Sequence, residues 1–148
     1  MRYFPFLVMA LVSTYSSPGR GLAQENQEAA LREAALSFAQ AWVDGEGGAL
    51  EEKMDVGGIR LHLQGEDFVS IPPRQARASL RSFMERYEGG EAEIVRVAEM
   101  GGDPFQGFSE IRWGCRVSGT FEPVIFTLFV AYAWTETRWV VTEIRVLP

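Results

Sequence analysis

Apolar residues recur at intervals of three and four in the first half of this chain and at every second position in the second half, so helices come first and strands follow. From Gln24 to Val43, Leu31, Ala34, Ala35, Phe38, Ala41 and Trp42 fall on one stripe of an amphipathic helix. Asp44-Gly45 marks its end, and Gly47-Gly48 loosens the chain after it. Ala49 to Met54 suits a short second helix. Ile59, Leu61 and Leu63 then alternate with Arg60, His62 and Gln64, which predicts a half-buried strand that Gly65-Glu66-Asp67 ends or turns. Pro72-Pro73 fits the first turn of a helix, where a missing N–H costs nothing, and Ala76, Leu80, Phe83, Met84 and Tyr87 continue at helical spacing until Gly89-Gly90.

From Glu91 the period becomes two. Ala92 to Ala98 reads as a strand, and Gly101-Gly102-Asp103-Pro104 as a turn. Ser109, Ile111, Trp113, Cys115 and Val117 alternate with Glu110, Arg112 and Arg116, so the charged set points outward. Val124 to Trp134 is apolar on both faces and is expected to be the central strand. After Thr135-Glu136-Thr137, Arg138 to Leu147 completes the set, with Val140, Ile144 and Val146 facing in. Trp139, Val141 and Leu147 are then expected on the outer face. Cys115, Thr127 and Tyr132 are the few polar groups expected on the inner side. Helices followed by an antiparallel meander make an α+β domain whose curved sheet wraps helices packed on one face.

Arg2 followed by the apolar run Tyr3 to Val12 and by Gly21-Leu22-Ala23 reads as an export leader, residues 1–23, cleaved after Ala23. About ten apolar residues are too few to cross a bilayer core that needs roughly twenty, so no stable membrane anchor is expected. The sole cysteine, Cys115, is far from the junction and cannot carry a lipid there. Residues 24–148 are thus expected as one domain, periplasmic or secreted. The leader's only charges are Arg2 and Arg20, so its removal takes the net charge from −6 to −8. Such an acidic chain is a poor nucleic-acid binder. With one cysteine, no internal disulfide can form, and packing alone must hold the exported domain.

Three stretches carry a family resemblance: the strand Ile59 to Leu63, the step Ser70-Ile71-Pro72-Pro73-Arg74-Gln75-Ala76 into a helix ending Phe83-Met84, and the closing run Trp139 to Val146. They make the chain resemble the nuclear-transport-factor-2-like, or SnoaL-like, cone-shaped superfamily over nearly all of residues 24–148. It is most similar to small exported bacterial members of unknown function. The resemblance implies a cone with a pocket between the helices and the concave face of the sheet. It also implies a choice among isomerases, dehydratases, hydrolases and non-catalytic binding or dimerising domains, which the fold alone does not make.

Chemistry is sparse. His62, the only histidine, alternates with inward leucines and so lies outside the core. Glu66 and Asp67 stand just past that strand, where a cone could open. Trp113, Tyr132 and Trp134 are the aromatic residues able to line a pocket, while Cys115 has no partner that would activate it. Arg74, Arg77 and Arg81 follow one helix stripe, which reads as a solvated face, with an anion site as its alternative. One histidine and one cysteine cannot form a usual transition-metal shell, and no calcium loop, phosphate-cradling glycine loop or nucleophile elbow is present, so neither metal nor cofactor is expected. The reading is a non-catalytic binding or assembly domain, pairing as a homodimer through its outer sheet face or docking another envelope protein. The alternative is a cone-fold isomerase, dehydratase or hydrolase acting on a small apolar molecule, with Asp67 or His62 as base and Tyr132 positioning the substrate.

Overall fold

The computed structural model describes the chain from residue 18 and its side chains from residue 25. Helices α1 (Pro18–Val43) and α2 (Gly47–Glu52) are followed by strands β1 (Ile59–Leu63) and β2 (Glu66–Ile71), helix α3 (Pro73–Met84) and strands β3 (Tyr87–Gly101), β4 (Gln106–Val117), β5 (Pro123–Trp134) and β6 (Trp139–Leu147). The strands form one six-stranded sheet in the order β2-β1-β6-β5-β4-β3. Every pairing is antiparallel except β1 with β6. This is the α+β arrangement the periodicity predicts, with β5 in the sheet interior. Residues 1–17 of the expected leader lie outside the described residues, and α1 begins at Pro18, ahead of the expected cleavage after Ala23. Among the described residues, no helix is long and apolar enough to cross a membrane.

The core lies between the helices and the inner face of the sheet. Helix α1 contributes Leu31, Phe38 and Trp42, and α3 contributes Ala76, Leu80 and Phe83 at the spacing of one helical stripe. Opposite them β4 turns in Ile111 and Trp113, and β5 turns in Phe126, Leu128 and Val130. Burying each large apolar side chain contributes about 1.5–3 kcal/mol, which is what a domain without a disulfide must rely on. The helix α3 stops at Met84, and the chain enters β3 at Tyr87 rather than after Gly89-Gly90. Those glycines lie inside the strand, where the pairing with β4 shifts between Glu88 and Glu91.

Two expectations about side-chain direction are overturned in β6. Ala131 pairs with Glu143 and Tyr132 with Val141, so Thr142 is an extra residue and the strand changes face across it. Trp139 and Val141 therefore belong to the buried cluster and not to the outer face. Val140, expected to face in, is buried, but it pairs with Ala133 on the face opposite Val141 and lies outside that cluster, while Ile144 and Val146 do face in. Thr127, expected inside, pairs with Arg112 and Leu147 on the outer face. The stretch Glu66–Ile71, read as a turn and a step, is an edge strand hydrogen-bonded to β1. Its exposure pattern has no clean alternation, because the register shifts opposite Arg60, and so it left no period-two signal.

Candidate functional site

Aromatic rings fill part of the space between the helices and the inner face of the sheet. Trp42 meets Trp113 edge-on at 5.6 Å, Trp113 stacks on Phe126 at 5.6 Å, and Phe83 packs edge-on against Phe126 at 5.5 Å. Tyr87 closes the same group from the start of β3, its hydroxyl donating to Gln64 Oε1 at 3.2 Å. Trp113 is thus a wall of a filled core. The indole N–H groups of Trp42 and Trp113 are buried and have no hydrogen-bond partner among the described residues. Cys115, on the same inner face, is also buried, and burial pushes its thiol above its ordinary range, so it is a poor nucleophile.

Farther along the inner face, Tyr132 on β5 pairs with Gly107 and lies diagonally across from Ser109, two positions along β4, and their hydroxyls are 2.9 Å apart. Burial pushes the Tyr132 phenol above its ordinary range, and the Ser109 hydrogen bond offsets only part of that, so it is a neutral hydrogen-bonding group at working pH. Tyr132 reaches a small cavity of about 180 Å³ between α1 and the β5–β6 hairpin, lined also by Ser37, Lys53, Arg138 and Trp139. Trp139 is pinned there by its indole N–H, which donates to the Gln27 carbonyl of α1 at 2.9 Å. Trp134 packs edge-on against Trp139 at 5.4 Å. Trp113, Tyr132 and Trp134 therefore do not line one pocket: Trp113 belongs to the ring cluster, and the other two to the hairpin end.

His62 and Asp67 face the other way. They are cross-strand partners on the outer side of β1 and β2, with Nδ1 and Oδ1 3.7 Å apart. Asp67 is 67% exposed and His62 39%, and the sheet separates both from Tyr132. They close a row that crosses all six strands: Arg96, Glu110, Phe129, Arg145, His62, Asp67, each paired with the next. Within it Arg96 and Glu110 are 3.6 Å apart, and the Arg96 guanidinium also lies 4.9 Å above the Phe108 ring. Glu66 is exposed at the β1–β2 turn. Among the described residues, no group of three or more His, Cys, Asp and Glu side chains could hold a metal ion. Sequence reasoning missed Ser109 as the partner of Tyr132 and Lys53 and Arg138 at the cavity. The one usable signal was a serine on an otherwise apolar inner face.

No family model matches the chain, and no curated protein does. Solved structures do match. The Kfla4162 protein from Kribbella flavida superposes with a TM-score of 0.68 at 12% identity, covering 84% of this chain and 91% of that one. A hypothetical protein from Catenulispora acidiphila with a ketosteroid isomerase-like fold, in complex with trimethylamine, gives 0.61 at 14% identity, covering 78% and 85%. An LEH-like epoxide hydrolase from M. tuberculosis gives 0.57 at 16% identity, covering 82% and 83%. With helices on one face of a six-stranded, mostly antiparallel sheet, the chain has the nuclear-transport-factor-2-like cone fold.

Proposed function

We propose that this chain is a non-catalytic assembly domain that acts outside the cytoplasm, after loss of its leader, and pairs with a second copy of itself through the outer face of its sheet. The observation that carries the reading is the row of outer side chains. A two-fold axis running along the strands between β5 and β6 keeps the row at one level and reverses its order. Arg96 then meets Asp67 of the second copy, Glu110 meets His62, and Phe129 meets Arg145. Opposite charges fall together at the ends and a cation meets a ring at the centre, as a self-complementary two-fold interface requires. Half-buried Phe129, with Ile125 and Leu147 on the same face, supplies the apolar part.

The enzymatic alternative would need a base and Tyr132 on one side of the sheet. His62 and Asp67 face outward, which weighs against it. Export rests on Arg2, the apolar run after it and Gly21-Leu22-Ala23. Light scattering coupled to size-exclusion chromatography on residues 24–148 is expected to give twice the chain mass at micromolar concentration. Phe129→Glu is expected to give a folded monomer by circular dichroism. A wild-type chain that stays monomeric would remove the pairing.

A further inference from the structure

Helix α3 carries a feature that sheet pairing leaves unused. Its buried side holds Ala76, Leu80 and Phe83, while Arg74, Arg77 and Arg81 follow one another a turn apart on the side facing α2. Arg77 is fixed. Its Nη1 donates to Glu51 Oε2 at 2.9 Å, and its side chain lies against Gly47 and Gly48, where a Cβ on Gly47 would stand 3.3 Å from Arg77 Cγ. Arg74 and Arg81, by contrast, make no ion pair or side-chain hydrogen bond among the described residues. That is unexpected in a chain with 20 acidic residues against 14 basic ones. Arg74 also stands in the first turn of α3, the positive end of the helix dipole, and no acidic residue in that turn offsets it. Three cations with one carboxylate among them border a hollow of about 190 Å³ with Ala78 in its lining. A water occupies about 30 Å³ of liquid, so the hollow has room for an oxyanion of several heavy atoms.

We infer that this hollow between α2 and α3 binds a phosphate-type oxyanion, with Arg74 and Arg81 as the two arms and Arg77 as the fixed centre between them. Guanidinium groups suit the task because their planar N–H pairs match the spacing of two phosphate oxygens. Glu51 serves to hold Arg77 in place. A monoanionic carboxylate would balance fewer of the unpaired charges than a phosphate dianion does. The hollow is on the helix side of the domain, so occupancy is independent of pairing through the sheet.

The test is calorimetric titration of inorganic phosphate into residues 24–148 at low ionic strength, with acetate and chloride as controls at matched ionic strength. Saturable one-to-one binding is expected for phosphate alone. Arg74→Ala with Arg81→Ala is expected to weaken it at least about tenfold, the size of losing one charge-assisted hydrogen bond. Ala78→Glu, which sets a carboxylate beside the arginines at an exposed position, is expected to abolish it with an unchanged circular dichroism spectrum. Phe129→Glu is expected to leave it intact. Sedimentation with phosphatidylglycerol vesicles, against phosphatidylcholine ones, then separates a lipid headgroup from a free phosphate compound as the source. No saturation at millimolar phosphate, equal response to acetate, or unchanged binding in both the double variant and Ala78→Glu would overturn the proposal.

Discussion

Tyr132 and Ser109 satisfy each other inside the cone, and that mutual dependence makes the pair sensitive to change. Tyr132→Phe leaves the Ser109 hydroxyl buried without its partner and is expected to cost about 1–3 kcal/mol in urea unfolding. The pH dependence follows from the raised phenol. The folded state holds the proton more tightly than the unfolded chain, so this contribution is full below the ordinary tyrosine range, near about 10, and fades as pH rises above it. The alkaline loss of stability should be smaller in Tyr132→Phe than in the wild type. Glu99 shows the same sign at lower pH: burial first, and Glu28 second, hold its carboxyl above the usual range, and its Oε1 has no partner among the described residues. The raised carboxyl contributes stability while protonated and loses it as pH rises above the usual carboxylate range, so Glu99→Gln is expected to raise the urea midpoint more at pH 7 than at pH 4. At this scale the direction of His62 was legible, because Leu61 and Leu63 bracket it in a regular strand. The Tyr132–Ser109 contact was not, because it depends on how β4 and β5 align.

The elements were legible where their periods were unbroken. Strand β4 alternates without interruption in its pairing with β5, and the faces read from its sequence are those it has. Strand β6 carries one extra residue, Thr142, and that insertion exchanges the faces of Val140 and Val141 in a way no period-two reading can detect. Two glycines set how closely the elements approach. Gly90 has φ +94°, and a Cβ there would collide with the Gly114 carbonyl of the neighbouring strand. Gly90→Ala must therefore change both backbone and pairing, and it is expected to cost at least about 2 kcal/mol. Gly107 is different. Its backbone is ordinary, but a Cβ would stand 2.7 Å from Leu31 Cδ2, so it is space that lets α1 lie on the sheet. Gly107→Ala is expected to cost about 1–3 kcal/mol, an overpacking penalty that Leu31→Ala in the same chain should partly relieve. A double-mutant cycle in urea checks this, and strict additivity would refute the contact.

For the whole molecule, the proposed pairing depends on the outer row being self-complementary about a two-fold axis along the strands between β5 and β6. If the two-fold runs between β5 and β6, each Arg96 faces Asp67 of the other copy, and the pair occurs twice per dimer. Asp67→Arg then sets two arginines against each other at both ends of the row, and Arg96→Glu does the same with two acids. Exposed pairs contribute about 0.2–1 kcal/mol each, so turning two attractions into two repulsions should weaken pairing about tenfold in either single variant. Asp67→Arg combined with Arg96→Glu restores opposite charges and should recover most of the wild-type dissociation constant. The recovery separates a contact between copies from a general charge effect, because both singles disturb charge within one chain: Asp67 loses His62, and Arg96 loses Glu110. Added salt should weaken the wild type and the double variant alike while narrowing the gap to the singles, since these charges lie near the rim. Sedimentation equilibrium at two ionic strengths reads all four proteins. If Asp67→Arg pairs as tightly as the wild type, or the double variant is weaker than both singles, the axis does not lie between β5 and β6.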